Sequence, residues 1–183
     1  MTWVVVLVVA VGLERLAEMV ISRRNTAWSM ARGGREYGAR HYPVMVALHV
    51  GLLAGIVVEV AVRRPEPTPA LVVPMLVLVA GAQALRWWCI AALGRQWNTR
   101  VIVVPGLPRV TGGPYRFLAH PNYVAVVVEG LALPLACSAW VTAVLFTVAN
   151  AALLAVRIRT EERAMALLGG ATTGGVVGEQ VHP

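Results

Sequence analysis

A chain of 183 residues that is 58% hydrophobic and only 14% charged, with a mean hydropathy of +0.69, is too apolar for a soluble domain of its size. Its net charge is +7, yet every one of the 16 basic residues is arginine and every one of the 9 acids is glutamate. Catalysis by Asp or by a Lys Schiff base is therefore excluded, and the arginines, clustered beside apolar runs, set topology instead of contacting nucleic acid.

Five segments approach the roughly 20 apolar residues that a bilayer-spanning helix needs, so the expected fold is an all-α integral membrane protein. The first runs from about Thr2 to Ile21. It does not read as a cleavable signal, because Trp3 to Leu13 lacks a basic flank and leads into Glu14-Arg15 instead of a cleavage site. Glu14 and Glu18 share a face, and Arg15 stands three residues before Glu18, a spacing that suits an internal ion pair. A polar loop, Ser22 to His41, follows. The second segment runs from about Tyr42 to Val62, interrupted by His49 and Glu59, and ends in the stiff turn Arg63-Arg64-Pro65-Glu66-Pro67-Thr68-Pro69. The third, about Ala70 to Leu93, contains Pro74, Arg86 and Trp87-Trp88.

Gly94 to Asn122 forms a long connector with an apolar stretch at Val101 to Val104 and turn signals at Pro105-Gly106, Pro108 and Gly112-Gly113-Pro114. The fourth segment, Tyr123 to about Cys137, carries Glu129 and Pro134, and the fifth runs from about Trp140 to Val156. Only Ser138 and Ala139 separate these two, which predicts a tight antiparallel hairpin. From Gly169 the chain is Gly-rich and aperiodic, an expected disordered tail. Residues 1–168 then form one domain, with a functional core at about 93–165. Cys89 and Cys137 read as buried thiols, and no metal site is expected.

Arginine placement predicts the orientation. Arg23, Arg24, Arg32, Arg35 and Arg40 follow the first segment, and Arg95, Arg100, Arg109 and Arg116 follow the third. Arg157, Arg159 and Arg163 follow the fifth, whereas the opposite side has only Arg63 and Arg64. The positive-inside rule makes the arginine-rich side cytosolic and the amino terminus external, as expected for a bacterial cytoplasmic membrane.

Two polar clusters interrupt this apolar chain. One is Gly113-Pro114-Tyr115-Arg116 with His120-Pro121-Asn122-Tyr123; the other is Arg157-Ile158-Arg159-Thr160-Glu161-Glu162. The hairpin predicts that they meet. Pro121 suits the first turn of a helix, and Arg157 and Glu161, four apart, share a helix face. Together they offer imidazole, amide, phenol, guanidinium and carboxylate groups, a set suited to a zwitterionic ligand with a ribose. Each cluster alone is equally well explained as helix capping or interfacial anchoring, and Trp97 and Tyr115 as interface aromatics. Within the membrane, Glu129, Arg86 and His49 are costly. Glu129 either lines a tunnel or bridges to Arg86, the bridge being slightly favoured, and His49 reads as a hydrogen-bonded core residue.

The combined pattern, over about Leu93 to Met165, resembles the isoprenylcysteine carboxyl methyltransferase family, integral membrane enzymes that use S-adenosylmethionine. Glu14-Arg15, Ser22-Arg23-Arg24-Asn25, His41-Tyr42-Pro43 and Trp97-Asn98-Thr99-Arg100 are similar to a bacterial branch associated with type III polyketide synthases, which O-methylates long-chain alkylpyrones or phenolic lipids. The resemblance implies Arg157 and Glu161 as the catalytic pair. It places Gly113, Tyr115, Arg116, His120, Pro121, Asn122, Tyr123 and Glu162 around the cofactor. Trp97, Asn98, Glu129 and Arg159 are then directed to the acceptor. Two departures stand out: Ala119 occupies the position of the family's Arg before His-Pro, and Gly-rich sequence replaces its aromatic carboxy-terminal segment. The partners expected are a lipophilic small molecule, the bilayer and a functionally linked type III polyketide synthase, with no nucleic acid. Methylation of a prenylcysteine carboxylate or a phospholipid amine is the alternative within this class. A small transporter or structural subunit is the alternative outside it, but it would concentrate polar residues at the midplane, whereas here they gather at one end.

Overall fold

The computed structural model describes the backbone of residues 1–173 and the side chains of residues 1–165. Five helices follow in order: α1 (Thr2–Met30), α2 (His41–Arg63), α3 (Pro69–Leu93), α4 (Pro121–Ala136) and α5 (Trp140–Thr173). By length and composition α2, α3 and α5 suffice to cross a membrane, and α4 is a shorter apolar helix. The outer faces are apolar: Val6 and Leu13 on α1, Val50 on α2, Val77 on α3, Leu131 on α4 and Leu145 on α5 are all exposed. Such a belt has its natural solvent in lipid, and the protein is an integral membrane protein.

At the end remote from the long connector, the bundle is packed dry. Val4, Val8 and Val11 of α1, Leu52, Ile56 and Val60 of α2, Val79 of α3, Leu133 of α4 and Phe146 of α5 form one core. Helices α4 and α5 turn back on each other through Cys137–Ala139, as the two-residue spacing predicted, with Ser138 in the left-handed region (φ 57°). There Glu59 of α2 accepts hydrogen bonds from Thr142 N (2.8 Å), Thr142 Oγ1 (2.8 Å) and Val141 N (3.1 Å). A carboxylate at the start of α5 satisfies otherwise orphaned amides and matches the helix dipole. Gly130 lets the two helices touch, since a Cβ there would overlap the Phe146 ring.

Above this plug lies a layer of charge. Arg86 of α3 pairs with Glu129 of α4 and stands 3.5 Å from Glu18 Oε1 of α1. Arg15 reaches Glu18 at 2.9 Å and Glu129 at 3.5 Å, and its Nη2 donates to Gln83 Oε1 at 2.9 Å. Glu14 accepts from Gln83 and from Trp87 Nε1. The ion pair expected within α1 is therefore part of a network joining three helices. Glu129 takes the bridging role and does not stand on the cavity wall described below.

Two helix ends differ from expectation. Helix α1 continues past Ile21 to Met30, because the polar residues taken for a loop lie on one helical face: Ser22, Asn25 and Ser29 are buried. The all-α architecture holds, with one small addition in the connecting segments: a two-stranded antiparallel sheet, β1 (Arg35–Tyr37) with β2 (Val101–Val103), in which Glu36 pairs with Ile102. At the other end of the chain, α5 extends beyond Val156 to Thr173, and the remainder of the Gly-rich stretch lies outside the described residues.

Candidate functional site

A cavity of about 680 Å³ opens at the connector end of the bundle. Its lower wall is apolar where α1 meets α2, with Leu16 and Met19 facing Val46, Val50 and Leu53. Its roof is the connector strand, Val101 to Val104, continuing into Leu107 and Pro108. Strand β2 is held in place by Arg100, which reaches both oxygens of Glu36 (3.0 and 3.1 Å) and stacks over Tyr42 at 4.3 Å.

The rim is polar, and the α4–α5 hairpin builds half of it. Pro121 occupies the first turn of α4, where its missing N–H is no loss. One turn of helix then carries Asn122 and Tyr123 into the cavity, beside His120. The His120 and Tyr123 rings stack at 5.4 Å, and the Tyr123 hydroxyl donates to Glu161 Oε2 at 2.8 Å. His120 Nδ1 stands 3.9 Å from the same oxygen. Glu161 lies one turn beyond Arg157 on α5, so a single helical face delivers both. Arg157 is 7% exposed; its Nη2 donates to Thr99 O at 2.8 Å and its Nη1 meets Met45 Sδ at 2.7 Å.

The connector builds the other half. Asn25 of α1 donates to Gly94 O (3.0 Å) and Trp97 O (2.7 Å), clamping the chain as it leaves α3. Ser22 accepts from Thr99 N at 3.1 Å. Trp97 and Asn98 are thereby turned into the cavity, and Trp97 is only 2% exposed, so it is no interface aromatic. Tyr115 enters from a short 3-10 turn, Gly113–Arg116. Burial, with Cys89 beside it, raises its hydroxyl above the ordinary phenol range, so Tyr115 remains a neutral donor or acceptor.

A family model for the isoprenylcysteine carboxyl methyltransferase (ICMT) family matches residues 74–167. The chain belongs to the isoprenylcysteine carboxyl methyltransferase family. The match spans the third segment through the second polar cluster and contains both halves of the rim. Outside it lie α1 and α2, which supply the apolar wall. The family makes the protein a membrane methyltransferase. The uncharacterized protein YpbQ of Bacillus subtilis is 36% identical over 165 residues, covering 90% of this chain and 96% of the relative. An uncharacterized protein of Haemophilus influenzae is 26% identical over 155 residues, covering 84% of this chain and 90% of the relative. No solved structure matches the chain.

Of the residues singled out in this family's motifs, Arg157, Glu161, Glu162, Tyr115, His120, Asn122 and Tyr123 share one cavity with Trp97 and Asn98. The others stand off its wall. Gly113 has a positive φ of 58° and packs against Ala92 and Trp88, where a Cβ would come within 2.9 Å of the Ala92 side chain. Arg116 extends over the Phe117 ring at 5.6 Å, Pro121 is buried within the first turn of α4, and Arg159 is exposed. Ala119, by contrast, lines the cavity.

Sequence reasoning missed Thr99, whose carbonyl holds Arg157, and Asn150, a 3% exposed residue on the same wall. Asn150 was detectable, because it stands seven residues before Arg157 and therefore on the same face of α5. Tyr42 and Met45, the α2 contribution, carried no such signal.

Proposed function

We propose that the protein is an S-adenosylmethionine-dependent O-methyltransferase acting on a lipophilic acceptor, with a long-chain alkylpyrone or phenolic lipid as the acceptor that its motifs favour. The observation that carries this reading is a single cavity with a polar rim and an apolar wall within a membrane bundle. A hydrocarbon chain belongs against Leu16, Val46 and Val50, and its polar head among the side chains of the rim.

The rim also fits the cofactor. Asn122 Oδ1 is buried without a hydrogen-bond partner among the described residues, and Glu161 and Glu162 add carboxylates. These acceptors suit an ammonium and ribose hydroxyls, while the stacked His120 and Tyr123 rings offer a flat apolar face. When bound, S-adenosylmethionine supplies an electrophilic methyl group on a sulfonium. The protein's part is alignment and exclusion of water. Arg157 directs the acceptor's oxygen, Tyr123 holds Glu161 in place, and the roof at Val101 to Val104 closes the site from solvent. Orientation follows the arginines: the rim faces the cytosol, where the cofactor is found.

Calorimetric titration of the detergent-purified protein with S-adenosylhomocysteine tests the cofactor, and an absence of binding defeats the reading. Arg157→Ala should abolish turnover while leaving that binding within a few-fold; a fully active variant removes Arg157 from the mechanism. Mass spectrometry of membrane lipids with and without the protein then identifies the acceptor by a gain of 14 mass units (about one CH₂, the net change on methylation).

A further inference from the structure

Below the rim, the cavity wall carries two polar side chains that neither the rim nor the ion network uses. Asn150 of α5 lines the cavity at 3% exposure, and its Oδ1 is buried with no hydrogen-bond partner among the described residues. His49 of α2 lines the same cavity, with Nδ1 2.8 Å from Met45 O. A carbonyl only accepts, so Nδ1 carries the proton and the neutral ring keeps Nε2 as an acceptor. Contacts between α2 and α5 place the two residues at one level. Met45 meets Arg157, and His49, one turn further along α2, meets the edge of the Phe146 ring at 5.5 Å. On α5, Asn150 stands one turn after Phe146 and two turns before Arg157, on the face that makes both contacts. The seam is therefore closed above and below Asn150 by contacts to Met45 and His49.

We infer that Asn150 and His49 form a second polar subsite, which binds a hydroxyl group of the acceptor's head other than the oxygen that receives the methyl. Buried polar groups nearly always have partners, and an unmet one inside a bilayer is costly. The charged groups nearby do not supply the partner, because Arg15, Glu18 and Arg86 are engaged with one another and with Glu129. A hydroxyl matches the pair on both counts. Its hydrogen can go to His49 Nε2 or to the amide oxygen, and its own oxygen can accept from the amide NH₂. The subsite lies well below the rim: seven residues of α5 separate Asn150 from Arg157, about 10 Å of helix. A carboxylate keeps both oxygens on one carbon and serves one of these stations at a time. A ring with oxygens on separate carbons can serve both, while its chain rests against Leu16, Val46 and Val50. Asn150 and His49 are thus specificity-determining residues that select a polyhydroxylated head.

The inference rests on the methyltransferase reading for what the ligand is, but the subsite is tested by binding alone. A pentadecyl resorcinol and the matching meta-pentadecylphenol share ring and chain and differ by one hydroxyl. Each is titrated into detergent-purified protein saturated with S-adenosylhomocysteine, and again without it. Wild-type protein should bind the resorcinol at least about tenfold tighter, since a buried site built for a hydroxyl rejects the analogue lacking it. Asn150→Leu should erase that preference, and so should His49→Phe, which retains an aromatic edge against Phe146. Affinity for the phenol and for S-adenosylhomocysteine should stay unchanged in both variants, and their thermal midpoints report folding. Where Asn150→Leu does not fold, Asn150→Ala takes its place. Equal wild-type binding of the two ligands, or binding of neither, overturns the subsite. A preference that survives both substitutions does the same and leaves Asn150 and His49 to a bound water. A loss of S-adenosylhomocysteine affinity in the variants also overturns it, because the pair would then serve the cofactor's ribose. Failure of wild-type protein to bind S-adenosylhomocysteine, with the resorcinol preference intact, defeats the methyltransferase reading and leaves the subsite standing.

Discussion

Arg86 and Arg157 are both buried on the wall of one cavity, 4% and 7% exposed, and their surroundings differ. Arg86 is flanked by Glu129 and Glu18, with Arg15 and Glu14 completing the layer. Arg157 has no carboxylate partner among the described residues; its neighbours are a backbone carbonyl and a thioether. A buried charge matched by acids holds helices together, and removing one partner leaves the other uncompensated. A buried charge held only by neutral groups remains available to an anion. The inner layer matches its charges internally, and the arginine of the rim is left without a carboxylate partner among the described residues.

The contrast is broken most directly at Glu129. Glu129→Ala strips the main partner from Arg86 and a second one from Arg15, and should cost about 3–5 kcal/mol in unfolding of the detergent-solubilised protein. A loss below about 1 kcal/mol would make the layer dispensable. Gly130→Ala probes the plug beneath it. The added methyl meets the Phe146 ring, and overpacking of this kind costs about 1–3 kcal/mol, read as a lowered thermal midpoint with ligand binding retained. The smallest effect on stability is expected at the rim. Arg157→Met keeps the bulk and removes no ion pair, so unfolding should shift by no more than about 1 kcal/mol. If Arg157→Met destabilised as much as Glu129→Ala, the distinction between the two arginines would disappear.

The long apolar helices α2, α3 and α5 were legible because a bilayer imposes a length and a polarity on each helix locally. The turn between α4 and α5 was equally legible, and with it the meeting of Tyr123 and Glu161, since a short hairpin leaves the two helix ends no alternative. The end of α1 was not. Ser22, Asn25 and Thr26 look like loop residues until their partners are known, and those partners are Gly94 to Thr99, in the connector beyond α3. Strands β1 and β2 are three residues each, too short to carry a periodic signal, and exist only through each other. Glu129 presented two roles with equal chemistry, and its contact with Arg86 chose between them.

By itself the sequence determined an apolar five-helix membrane protein and two polar clusters brought together by a hairpin, because these follow from local composition and spacing. Tertiary structure decided which polar groups neutralise one another and which remain open. Charges within a bilayer have no water to fall back on, so their meaning depends on what faces them. That is why Glu129 left the cavity wall, why α1 came to orient Asn98, and why Gly113 and Arg159 stand apart from a site that Trp97 and Asn98 help to form.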